Sequence, residues 1–132
     1  VIQLFKPRAK MNNNGIMVRR FLERVGSDPK HCLIVHDDAD LPLGTVRFKN
    51  TGGDAGHKGM RSVILALGTV DVPRFRLGIR RLGDKKKTEQ FVLSRIPFND
   101  HAIYTPMIEK ASAMVLERLQ KHLGGEFIQQ KM

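Results

Sequence analysis

The stretch from Leu33 to Val63, LIVHDDADLPLGTVRFKNTGGDAGHKGMRSV, limits what this chain can fold into more than any other part of it. It opens on Leu33-Ile34-Val35, an apolar run of strand length, and breaks off into His36-Asp37-Asp38-Ala39-Asp40. Leu41-Pro42-Leu43-Gly44 has turn chemistry, because proline fixes one backbone angle and glycine supplies freedom that other residues lack. Thr45 to Lys49 alternates polar and apolar, the period of a half-buried strand. A glycine-rich loop from Thr51 to Gly59 follows, with His57 and Lys58 inside it. From Met60 on, Val63, Ile64 and Leu67 share one face of a helix. Functional groups collect where strands end, so carboxylates at a strand end facing a glycine loop with a histidine read as a site. A solvated acidic turn and a flexible loop would be written in the same letters.

The flanks fill in an α/β pattern. Val1 to Phe5 reads as a strand, and Lys6 to Lys10 as a basic loop. Asn12, Asn13 and Asn14 offer capping side chains to a helix in which Met17, Val18, Phe21, Leu22 and Val25 recur at helical spacing, and Gly26 ends it. Strand, helix and the Leu33–Val35 strand make a βαβ unit, which calls for parallel pairing. Beyond Gly68, Arg74 to Arg80 alternates, with Phe75, Leu77 and Ile79 facing one way and Arg74, Arg76 and Arg80 the other. Arg80 to Lys87 reads as exposed and basic, Gln90 to Leu93 as a locally docked run, and Pro97 to Asp100 as a cap. The last helix carries an apolar stripe of Ile103, Tyr104, Met107, Ile108, Ala111, Met114, Val115 and Leu119, and stops at Gly124-Gly125.

Charge narrows the function classes. Lysine plus arginine, 23, exceeds aspartate plus glutamate, 13, giving a formal net charge of +10. That excess favours a polyanionic partner, nucleic acid first and an anionic membrane second. The absence of tryptophan and the single tyrosine argue against a base-stacking platform. No apolar run approaches the roughly 18 residues of a membrane span, so the membrane is not expected as a partner. Cys32 is the only cysteine, which excludes an intrachain disulfide and is compatible with a reducing compartment. No His/Cys cluster has metal-ligand spacing, so neither metal nor other cofactor is expected.

Four motifs in order carry a resemblance. Met11-Asn12-Asn13-Asn14-Gly15 is similar to MNxSG, and His36 to Gly44 with Lys49 and Gly52-Gly53 to HDDxDLPxGxxxxKxGG. Gly56-His57-Lys58-Gly59-Met60-Arg61-Ser62 is similar to GHNG[LM][KR][DS], and Arg74 to Ile79 to RLRIGIG. Together they resemble the bacterial-type peptidyl-tRNA hydrolase family. The resemblance implies one α/β domain over residues 1–132 with a mixed, mostly parallel sheet surrounded by helices. It implies hydrolysis of the ester between peptide and tRNA, with tRNA as partner and a monomeric protein. Asp37 matches the aspartate that orients the histidine base, and Lys10, Met11, Asn12 and Lys58 match substrate-binding positions. Lys49 and Arg76 match positions that clamp a tRNA phosphate.

Two positions depart from the pattern. Lys10 stands where an aromatic residue is common, and Lys58 replaces the GHNG asparagine, so an amide oxygen is lost there. His36 is expected to point away from Asp37 by alternation, His57 to serve the loop's scaffold, and Asp38 and Asp40 to satisfy local backbone donors. The base itself belongs to a TRHN-like segment expected upstream of Val1, so the 132 residues are expected to be N-terminally incomplete and inactive alone. The rival readings are a non-catalytic relative that binds RNA or the ribosome as an adaptor, and a general anion-binding module. The cytoplasm is the expected compartment, with mitochondrion and plastid left open.

Overall fold

Val18 and Leu22 are one helical turn apart, and Met60 and Val63 are spaced likewise, so two amphipathic helices each have one face to bury. A computed structural model describes residues 2–8, 13–81 and 101–122 and shows how they do so. The chain divides into two compact units, one of Val1–Ile34 with Phe48–Arg74, the other of Val35–Arg47 with Phe75–Met132.

In the first unit, helix α1 (Asn14–Val25) packs on helix α2 (Lys58–Leu67). Val18, Leu22, Met60, Val63 and Val72 form the core, with Cys32, Ile34, Ile64 and Leu67 against it. Gly15 sets the closeness of the two helices: its N–H donates to Ser62 Oγ at 2.9 Å, and a β-carbon there would overlap the Ser62 carbonyl. Burial pushes the Cys32 thiol above its ordinary pKa, which favours the protonated form.

Two expectations fail here. Residues 2–5 form no strand; Leu4 is 94% exposed, and Phe5 stacks on Phe21 with ring centroids 4.4 Å apart. Alternation supplies a period, but a strand also needs a neighbour to receive its N–H and C=O groups. Asn13 occupies the N-cap of α1, yet its side chain makes no capping bond. Its backbone (φ −107°, ψ −1°) is already near-helical, whereas a capping side chain needs extended backbone to reach the free N–H groups.

The sheet has the order β1-β3-β2, from β1 (Ile34–Pro42), β2 (Val46–Lys49) and β3 (Arg74–Arg80). Gly78 N donates to Thr45 O and Leu43 N to Arg80 O, so β2 runs antiparallel to the central strand. Ile34 N donates to Pro73 O near one end of β1, and the Pro42 carbonyl lies over Gly78 near the other, so β1 runs parallel to it. A β-carbon at Gly78 would overlap that carbonyl. The sheet is mixed and the class is α/β, as expected. In the second unit helix α3 (His101–His122) buries Met107 and Ala111, while Ile103 and Ile108 of the expected stripe are exposed.

β1 is longer than its apolar run. The acidic residues lie within the strand, and the turn is confined to Leu43-Gly44. The segment beyond Arg81, the Gln90–Leu93 run, the Pro97–Asp100 cap and the Gly124-Gly125 stop fall outside the described residues.

The expected basic face of β3 is also not uniformly solvated. Arg74 is only 2% exposed, and its guanidinium donates to the carbonyls of Val72, Gly53, Gly52 and Val70 at 3.0, 2.9, 3.0 and 3.1 Å. Replacing Arg74 with methionine should therefore lower unfolding free energy by about 1–3 kcal/mol, since part-buried carbonyls lose their donors. Urea unfolding of both proteins measures it. A midpoint unchanged in Arg74→Met would mean that water satisfies those carbonyls equally well.

Candidate functional site

Strand alternation divides the two adjacent aspartates of the second unit. Asp37 is half-buried on β1, and the His36 ring donates from Nδ1 to its backbone carbonyl at 2.7 Å. His36 is thus turned onto the chain's own backbone, in keeping with a structural role. Asp38 projects to the opposite face and is 4% exposed. Its Oδ1 accepts from Asp40 N at 2.9 Å and its Oδ2 from Arg76 Nε at 2.8 Å. The local backbone contact matches expectation. The ion pair across 38 residues of sequence does not follow from any local pattern.

Arg76 is held by that pair in a half-buried position. The antiparallel bonds through Thr45 and Leu43 set Arg47 directly opposite Arg76 on the neighbouring strand. Like charges in that relation repel. Asp38 offsets part of this, and exposed Arg47 keeps its charge toward water. Further along β3, Arg80 Nε donates to Ala39 O at 2.7 Å.

The first unit holds the glycine loop. Arg74 fixes Gly52 and Gly53 by their carbonyls. Asp54 Oδ1 accepts from Gly56 N at 2.8 Å, and His57 N donates to Asp54 O at 2.9 Å. His57 then caps α2: its Nδ1 accepts from Met60 N at 3.0 Å, so that nitrogen carries no proton. Scaffold work for His57 was legible from its place in a glycine loop, but the cap itself was not, because histidine is not among the usual capping residues.

Lys58 is the first residue of α2 and is exposed. A cation at the positive end of a helix dipole is unfavourable by roughly 0.3–1 kcal/mol. Lys49, half-buried, lies so close to Gly52 that a β-carbon there would overlap its Cε. Lys10, Met11 and Asn12 fall outside the described residues. Among the described residues, no group of three or more His, Cys, Asp or Glu is disposed to hold a metal ion.

Missed in the sequence were the Asp38–Arg76 pair and the carbonyl cage of Arg74. Their only signal was charge placed inside otherwise apolar strand patterns.

Comparison with known proteins gives a consistent result. The family model for peptidyl-tRNA hydrolase matches residues 1–131. The peptidyl-tRNA hydrolase of Hydrogenobaculum sp. is 41% identical over 122 residues, covering 92% of this chain and 65% of that protein. That of Synechocystis sp. is 40% identical over 120 residues, covering 91% and 60%. The crystal structure of peptidyl-tRNA hydrolase from Acinetobacter baumannii superposes with a TM-score of 0.77 at 30% identity, over 89% of this chain and 60% of that one. The chain therefore spans 60 to 65% of the length of the relatives named here.

The cap at His57 is open to a direct test. His57→Ala should cost about 1 kcal/mol of stability, the usual loss when a side-chain cap is removed, and His57→Asn should recover most of it. Thermal melts compare the three proteins. Equal melting temperatures for all of them would show that Met60 N finds another acceptor.

Proposed function

Because the chain belongs to the peptidyl-tRNA hydrolase family, we propose that this protein hydrolyses the ester joining a peptide to the 3′ end of tRNA and so returns the tRNA to use. The observation that carries the reading is the family match over residues 1–131. The reaction needs an activated water and a base held in one orientation. In this reading Asp37 orients the histidine base and stabilises its charged form, since an ionised carboxylate raises a neighbouring imidazole's proton affinity. Asn12 handles water and ester through an amide that donates and accepts. Lys10, Met11 and Lys58 complete the substrate-binding set, and Lys49 and Arg76 take tRNA phosphates, contacts that read no base sequence. The substrate arises in translation, which places the work in a translating compartment, the cytoplasm first.

The base is not among the five histidines of these residues. None of the five stands at the base's position in the family pattern. Lys58 favours a second reading, a relative that binds tRNA or the ribosome without hydrolysis, because lysine offers no acceptor where the family pattern has an amide.

Peptide release from a peptidyl-tRNA separates these readings in three proteins: the 132 residues, the same residues preceded by a family-type N-terminal segment, and that longer form with Lys58→Asn. The first should be inactive and the second active. A gain of about ten- to a hundredfold on Lys58→Asn, the scale of one hydrogen bond, would show that the amide acceptor is needed. Activity in the 132 residues alone would refute the assignment of the base, and inactivity in all three would favour the adaptor. In the active form, Asp37→Asn should lower turnover steeply while tRNA binding stays near normal, because orientation is felt in the transition state.

A further inference from the structure

We infer that Arg80 is a phosphate contact for the tRNA backbone, working beside Arg76 on one short stretch of β1; the inference rests on the tRNA reading above. Arg76 and Arg80 are four residues apart on β3, so alternation sends both side chains to the same face. Their Cα atoms are roughly 13 Å apart at strand rise, yet their anchors are consecutive. Arg76 Nε donates to Asp38 Oδ2 at 2.8 Å and Arg80 Nε to Ala39 O at 2.7 Å. The two guanidiniums therefore converge on one place in the second unit.

Each is held by Nε alone. Among the described residues neither donates from its terminal nitrogens to any protein acceptor. Those nitrogens form the planar fork that suits phosphate oxygens. An exposed arginine ordinarily samples many rotamers, and ordering it for a ligand costs side-chain entropy. The bond to Ala39 O has already restricted Arg80, which is exposed at the end of its strand.

The charge around it leaves room for an anion. Asp38 is engaged by Arg76, and Ala39 answers Arg80 with a neutral carbonyl. Asp40, the next acid along β1, forms no ion pair among the described residues. Arg47 stands opposite Arg76, and exposed Arg81 follows Arg80. Three arginines thus share one face around a single engaged carboxylate. A backbone carbonyl can fix a guanidinium but cannot neutralise it, and a phosphodiester can.

Binding of a tRNA acceptor-stem hairpin, measured over a range of salt concentrations, tests the assignment with wild type, Arg80→Gln and Arg80→Lys. Wild type should show a falling log K against log salt. Arg80→Gln should make that slope shallower by about 0.7–0.9, one phosphate contact, and Arg80→Lys should keep it, since lysine retains the charge. Melting temperatures taken alongside register loss of the Ala39 bond, which both variants suffer. A role confined to that bond would lower both melting temperatures and leave all three slopes equal, which overturns the inference. A lysine variant as shallow as the glutamine variant overturns it too, because the slope counts charge. If wild type itself shows no salt-dependent binding, the tRNA reading fails first and Arg80 falls with it.

Discussion

A guanidinium on a central strand cannot be left without acceptors, and β3 places three of them there. Each is satisfied differently, and the local structure follows from how. Arg74, sealed from water, gathers four carbonyls and thereby fixes the glycine loop of the first unit from Gly52 to Gly53. Arg76 takes a buried carboxylate, which lets an acidic segment remain in the sheet. Arg80, at the exposed end, takes a single carbonyl. The progression matches what burial demands: a charge far from water needs several partners, and one at the surface needs fewer.

Much of the fold was legible because its signals are local. The faces of α1 and α2, the stops at Gly26 and Gly68, and the alternation in β2 and β3 all lie within a few residues of one another. β1 was read too short because three aspartates in its nine residues argue against a strand until a partner is known. Arg76, on another strand, is the partner of one of them, Asp38. The opposite error at Val1–Phe5 has the same root. Five apolar-leaning residues look like a strand, but the described residues 2–5 pair with no other strand, and Phe5 uses its ring on α1 instead.

For the candidate site the division is sharper. Residue identities at motif positions were legible, and Lys49 and Arg76 stand on the strands that alternation led one to expect, whereas Asp37 lies within β1 rather than past the end of its apolar run and Lys58 opens α2 rather than sitting in the loop. Their engagement was not. Nothing in GDAGHKGM says that His57 lends its Nδ1 to a helix N–H, because that follows from the loop's path through Asp54 and Gly56. Nor does RFRLGIR distinguish a buried arginine from a half-buried or an exposed one. Alternation assigns a face, and only tertiary packing decides whether that face meets water.

The same alternation gives the pair Asp37-Asp38 its meaning. Two carboxylates side by side in a sequence look redundant, but on a strand they face opposite ways, and Arg76 reaches only one of them. An Arg76 pair made to Asp37 instead would compensate part of the negative charge that the proposed mechanism asks of it and weaken its pull on an imidazole proton. With Arg76 bound to Asp38, the guanidinium is positioned and its charge is taken up on the face away from Asp37. In the proposed reading, strand alternation thus puts the carboxylate meant for a histidine and the cation meant for a phosphate on opposite sides of β1.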